Sequence, residues 1–320
     1  MPRILVVAPN WIGDALMAQP LLARLHEKLP GLELDVLAPE WIAAVARRMP
    51  EVREVIPAPF RHGALELRSR WKIGRALRRR RYDQAIVLPN TWKAALVPFF
   101  ADIPLRSGYV GESRYGLLNL LYRKNGGSML EHYARLSEPP GSTLKQPLPA
   151  PRLRVAQEEI AAAKRRFGLA GEYAVLCPGA EYGPAKRWPY FAELARRLDL
   201  PVVLLGSQND RPAAEGIGGK NLVGRTTLDD AIALIAGARF VVSNDSGLMH
   251  VAAALGRPQV ALFGSSSPRH TPPGSRAARV LWLELECSPC FARECPLGHF
   301  RCMNEITVDM ALSAIQNLSP

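Results

Sequence analysis

Short apolar runs rich in branched residues alternate with helix-like stretches along this chain, stop at a proline-rich tract, and then begin again. The first series places strands at 4–8, 34–37, 52–56 and 85–88, separated by helical stretches at 15–29, 41–48 and 64–79. Runs without polar alternation are buried on both faces, which is the mark of a parallel sheet covered by helices. Residues 139–151 read PPGSTLKQPLPAP, with five prolines and no periodicity, and form a linker. Strands then recur at 173–177, 202–205, 240–242 and 259–263, with helices at 190–198, 228–236 and 247–255. The expected fold class is α/β, with two Rossmann-like domains at 1–150 and 151–320 facing a central cleft. A length of 320 residues fits two domains at roughly 150 residues each.

Composition narrows the function. Hydrophobic residues make up 48% and charged residues 22%, which excludes a largely disordered chain. No segment approaches the roughly 20 apolar residues of a membrane span, and the apolar run 4–9 is too short for a signal sequence. Five cysteines, an odd number, suit a reducing cytoplasm. The net charge of +12 is uneven: residues 1–150 carry +9 and the rest +3. An anionic partner is therefore expected on the first half.

Ligands of doubly wound sheets bind outside the carboxyl ends of strands, so the loops after strands matter most. The first is Pro9-Asn10-Trp11-Ile12-Gly13-Asp14. Gly13 allows close backbone approach, and Asp14 is either the helix N-cap or a general base. The loop has no G-x-G-x-x-G, so a nicotinamide fingerprint is not supported. The loop 178–189, PGAEYGPAKRWP, is either a solvated turn anchored by Trp188 or a phosphate clamp built on Lys186 and Arg187. In 241–250, VVSNDSGLMH, a strand passes through a polar turn into a helix whose first N–H groups, at Ser246, Gly247 and Leu248, suit a pyrophosphate. Asp245 there is a cap or a ligand, and His250 a packed or a binding histidine. No G-x-S-x-G is present, which argues against a hydrolase elbow.

Two further clusters stand apart from these loops. Cys287, Cys290, Cys295 and Cys302, with His299 among them, either close a tetrahedral structural zinc site or remain reduced thiols. Cys177, ending a buried strand, reads as a small apolar residue. The run from Arg75 to Arg81, with Arg61, His62, Arg68, Arg70 and Lys72 nearby, is either a solvated helix end or a face for an anionic surface. Without a recognised module or interleaved aromatics, nucleic acid is not an expected partner.

Taken together, the segments PNWIGDALM (9–17), HGALE (62–66), LVPFFADIP (96–104), RSGYVGESRYGLLN (106–119), CPGAEYGPAKRWP (177–189), SNDSGLMHVAAALGRP (243–258) and SSSPRHTPP (265–273) resemble the ADP-heptose:lipopolysaccharide heptosyltransferases over essentially the whole chain. The resemblance implies the inverting GT-B architecture, with the donor, ADP-L-glycero-β-D-manno-heptose, on the C-terminal domain. It implies an N-terminal domain that receives Kdo2-lipid A bearing its first heptose, and a cytoplasmic enzyme peripherally associated with the inner membrane. Asp14 is then the base and Lys186 the group that meets the departing phosphate. Donor contacts are expected from Gly13, Gly179, Ala180, Arg187, Asp245, Ser246, Gly247, Leu248 and His250, with Gly206, Ser207 and Asp210 toward the nucleoside. Acceptor contacts are expected from Arg61, His62, Asn90, Lys93 and Arg114. No D-x-D exists to bridge a divalent ion, so no cofactor is expected to be required for catalysis. A related transferase using another core acceptor, or a sugar-nucleotide epimerase on the same architecture, would share these features.

Overall fold

A computed structural model describes residues 1–61 and 63–318, and the chain divides into two compact units, Met1–Ala150 and Pro151–Pro320. In the first, β1 (Arg3–Val7), β2 (Glu33–Ala38), β3 (Glu54–Pro57), β4 (Gln84–Val87), β5 (Leu105–Tyr109) and β6 (Leu120–Tyr122) form one sheet in the order β3-β2-β1-β4-β5-β6. Every neighbouring pair is parallel. Around it lie α1 (Ile12–Met17), α2 (Gln19–Lys28), α3 (Glu40–Ala46), α4 (Leu67–Leu77), α5 (Leu96–Phe100) and α6 (Met129–Ala134).

The second unit repeats the plan. It begins with α7 (Gln157–Arg166), followed by β7 (Ala174–Cys177), α8 (Phe191–Arg197), β8 (Val202–Leu204) and β9 (Lys220–Asn221). Then come α9 (Leu228–Ala236), β10 (Phe240–Asn244), α10 (Gly247–Ala254), β11 (Gln259–Leu262), β12 (Ala278–Leu281), α11 (Arg301–Asn304) and α12 (Val308–Gln316). Its parallel sheet runs β12-β11-β10-β7-β8-β9. Numbered within their own units, both sheets have the order 3-2-1-4-5-6, the Rossmann order.

The central strands are fully buried: Leu5, Ala85, Ile86 and Val87 in one sheet, Ala174, Val175, Val241 and Val242 in the other. Each unit thereby closes its own core. Of the buried charged residues among those described, one lies on a strand. Asp35, on β2, is fully buried and meets Arg53 at 2.6 Å, Arg80 at 3.3 Å and the Tyr82 hydroxyl at 2.5 Å. Burial pushes its carboxyl up, but bonds from Arg53 and Tyr82 and the charges of Arg53 and Arg80 outweigh this and hold it below the usual range. Arg80 also pairs with Glu54 at 2.5 Å, so part of the arginine run is a structural staple.

Local differences from the sequence reading have physical causes. The stretch 15–29 is broken at Ala18, because Pro20 lacks an amide hydrogen and is tolerated only in the first turn of α2. The helix expected from 64 begins only at Leu67, after Glu66 takes a left-handed conformation. Among the described residues no helix is long and apolar enough to cross a membrane.

Candidate functional site

In a sheet of order 3-2-1-4-5-6, the chain leaves the first and fourth strands in opposite directions, which opens a crevice beyond their carboxyl ends. In the first unit that crevice is bounded by the segments following β1 and β4. In the second it is bounded by those following β7 and β10. The strongest sequence candidates lie on these segments.

In the first unit, Asp14 is the third residue of α1, and Trp11 occupies the N-cap without a side-chain bond. Asp14 is therefore not the cap. Its half-buried carboxylate accepts a hydrogen bond from Tyr133 of α6 at 3.1 Å. Tyr133 is 5% exposed, and burial, followed by the Asp14 charge, drives its hydroxyl far above the ordinary phenol range. The phenol is thus a fixed neutral donor. It packs edge-on against His132, which stacks on Tyr109 with ring centres 3.9 Å apart. Gly13 lies inside α1, one residue before Asp14.

Arg114 organises the segment after β4. It donates to the carbonyls of Pro89, Thr91 and Tyr109 and to Asn90 Oδ1 at 3.0 Å. At 1% exposure its guanidinium is committed to these internal bonds, so the expected acceptor contact is corrected to a role in positioning Asn90. Lys93 donates to the Gly63 carbonyl at 2.7 Å, and buried Arg70 bonds the carbonyls of Lys93 and Leu65. These bonds bring the 63–66 and 90–93 segments together. Arg61 is solvent-exposed beside Glu66 at 3.1 Å. His62 lies outside the described residues.

In the second unit, Lys186 ends a short 3-10 turn, Pro184–Lys186, and its Nζ lies 2.5 Å from Asp245 Oδ2. The same oxygen accepts from Ser266 Oγ at 2.6 Å. The ammonium also sits over the Tyr182 ring, 4.8 Å from its centre. Asp245 is 6% exposed, and its carboxylate orients Lys186. Asn244 ties the two bounding segments, accepting from Trp188 N at 3.1 Å and donating to the Pro178 carbonyl at 2.8 Å.

Ser246, Gly247 and Leu248 open α10 half-exposed, and no side chain caps them. Their N–H groups therefore have no partner within the helix and aim at the crevice. His250, one turn in, is 5% exposed. Burial pushes its imidazole down to about 4, Asp245 opposes this, and Lys186 adds to it. It is a neutral, packed histidine.

Of the residues expected nearer the nucleoside, Asp210 is buried, Gly206 is half-buried and Ser207 is exposed. Asp210 accepts from Ser207 N at 2.8 Å and Ser207 Oγ at 2.7 Å, closing a capping box. A Cβ at Gly179 would fall 2.1 Å from Asp210 Cγ, and one at Gly206 would fall 3.0 Å from Asp210 Cβ. Asp210 and Ser207 thus build this corner by bonding each other, and the glycines admit them. Ala180 is buried, and its carbonyl accepts from Arg187 at 3.4 Å.

The cysteine segment does not assemble as a tetrahedral centre. Cys302 is buried in the core of the second unit, Cys290 is exposed, and Cys295 accepts from Phe300 N at 3.4 Å. Burial, and then the nearness of Cys290, Cys287 and Cys295, pushes the Cys302 thiol up to about 11. Among the described residues no three histidine, cysteine or acidic side chains are placed to hold a metal ion, so the expected zinc site does not fit. The segment serves the site in another way. Ala185 N bonds the Arg293 carbonyl at 3.1 Å, and a Cβ at Gly183 would lie 2.4 Å from that oxygen.

Comparison with known proteins places this geometry. Residues 70–301 match the family model of glycosyltransferase family 9 (heptosyltransferase). The chain is 44% identical to lipopolysaccharide heptosyltransferase 2 of Escherichia coli K12, over 99% of this chain and 98% of that protein. It is 41% identical to lipooligosaccharide heptosyltransferase 2 of Haemophilus influenzae Rd, over 99% of both. The solved structure of E. coli ADP-heptose LPS heptosyltransferase II superposes with a TM-score of 0.88 at 42% identity, covering 98% of this chain and 97% of that one.

Proposed function

The chain belongs to glycosyltransferase family 9, the heptosyltransferases, and from that premise we propose that it transfers heptose from ADP-heptose to the first heptose of the Kdo2-lipid A inner core. The second unit holds the donor and the first receives the acceptor, working at the cytoplasmic face of the inner membrane. The observation that carries this reading is Lys186, locked beside the uncapped start of α10 by Asp245, whose carboxylate Ser266 holds in turn. A fixed cation and free amides at one strand end suit a diphosphate leaving group.

In the reaction, the acceptor hydroxyl oxygen attacks the anomeric carbon from the face opposite ADP. Asp14 takes the hydroxyl proton, and the Tyr133 hydroxyl holds its carboxylate in place. As the bond to ADP breaks, the electron pair stays with the diphosphate. Lys186, Arg187 and the N–H groups of Ser246, Gly247 and Leu248 stabilise that charge. The sequence has no D-x-D, and Asp230, beside Asp229, caps α9 through Thr227. Transfer therefore proceeds without an obligatory divalent ion, and dialysis against EDTA leaves the rate unchanged.

The test is incubation with ADP-heptose and Kdo2-lipid A carrying either no heptose or one, followed by mass spectrometry. Addition of one heptose to the one-heptose acceptor alone is the expected result. Preference for the bare acceptor would move the chain to the first core transfer, and interconversion of free nucleotide sugar would make it an epimerase.

A further inference from the structure

Most arginines of the first unit whose contacts are described above are consumed internally: Arg53 and Arg80 by buried Asp35, Arg70 and Arg114 by carbonyls. One face departs from this economy. α4 buries Arg70, Gly74 and Leu77, with Gly74 so close to α5 that a Cβ there would lie 2.5 Å from Phe100 Cβ. Its exposed residues are Leu67, Arg68, Trp71, Lys72, Arg75 and Ala76; by the helical repeat Leu67 and Trp71 form a flank beside Gly74, and Arg68, Lys72, Arg75 and Ala76 stand opposite the buried stripe. Arg79 continues this face into the following turn. Among the described residues no ion pair engages Arg68, Lys72, Arg75 or Arg79, and the face contains no acid. Trp71 is 51% exposed and Leu67 48%.

A solvated cationic face has no need of a bare tryptophan and leucine. A helix that lies in a lipid headgroup layer needs both, with the indole at the interfacial depth and basic side chains reaching the phosphates. We propose that the outward face of α4 docks the enzyme on an anionic phospholipid surface, with Trp71 and Leu67 entering the interface and Arg68, Lys72, Arg75 and Arg79 meeting lipid phosphates. At about 17 Å, the helix spans several headgroups. This deepens the peripheral-membrane part of the reading above by naming the surface that makes the contact.

The test is co-sedimentation of the full chain with phosphatidylglycerol-containing vesicles and with phosphatidylcholine vesicles. Transfer is measured in parallel on a delipidated, water-soluble core acceptor. Binding only to the anionic vesicles, weakened by salt, is expected. Neutralising Lys72→Gln and Arg75→Gln together should weaken it about 25-fold, at roughly fivefold per cation. Trp71→Ser should weaken it several-fold, and transfer to the soluble acceptor should persist in each variant. Equal binding to both vesicle types, or unchanged binding in both variants, overturns the proposal. So does binding to single-stranded DNA that matches the vesicles in strength and ignores Trp71→Ser. Loss of soluble-acceptor transfer in the unaltered chain would count against the catalytic reading and leave the vesicle result to stand by itself.

Discussion

The two units share one strand order and one kind of crevice, yet they furnish it with opposite charge. In the first, a carboxylate, Asp14, stands at the helix after β1, held by a neutral phenol. In the second, an ammonium, Lys186, stands after β7, held by a buried carboxylate that a serine fixes in turn. Topology selects the place, and a few side chains select the sign. A proton acceptor and an anion acceptor are the two services that displacement of a nucleotide by an alcohol requires.

That contrast can be broken most severely at Asp14. Asp14→Asn keeps an oxygen for Tyr133 but removes the base, and kcat should fall about 10³-fold with ADP affinity unchanged. Steady-state kinetics with a titration of ADP binding would show this, and turnover within tenfold of the parent would erase the distinction between the units. Lys186→Ala should lower kcat/KM about 10²-fold. It should also weaken ADP binding, so both parameters move where Asp14→Asn moves one. An ADP affinity equal to the parent's would take Lys186 out of the site.

Acid should separate the units without any substitution. His250 has its folded value pushed down to about 4, so its contribution is complete above the unfolded value near 6.5 and is lost as pH falls from there toward 4. The loss amounts to about 3 kcal/mol. Asp35 is also held low, so its contribution persists until pH drops through the carboxylate range, below about 4. Hydrogen exchange across a pH series should therefore show the second unit loosening first, and His250→Gln should flatten its slope. Simultaneous loosening would show that His250 is not what sets the order. The smallest effect belongs to Tyr133→Phe. It keeps the ring and deletes the hydroxyl, and should cost about fivefold in kcat with little change in KM. A larger change in acceptor KM would assign Tyr133 to binding instead.

Much of this layout was legible because strands buried on both faces have nowhere to place polar residues. The runs around Leu5, Ile86, Val175 and Val241 announced themselves in that way. β5 did not, since Arg106, Ser107 and Gly108 interrupt it, nor did the three-residue β6 or the half-exposed β12. The loops that bear the site were visible as glycine, proline and polar insertions after strands. Their internal pairings were not. Tyr133 reaches Asp14 across 119 residues, and Asp245 reaches Lys186 across 59, and no local pattern encodes such closures. The sequence shows the chemistry of Asp245, Asp210, His250 and Arg114 but not the partners and packing that hold them inside the fold.

The missing side chain at position 183 carries a last consequence. The backbone oxygen of Arg293 fills the volume that any other residue there would claim, and the neighbouring amide of Ala185 grips that same oxygen. The lysine's turn and the thiol-bearing arm are cast against each other like the halves of a mould. A descendant of this chain that swaps Gly183 for anything larger must reroute the arm in the same step, so the two segments can diverge only together.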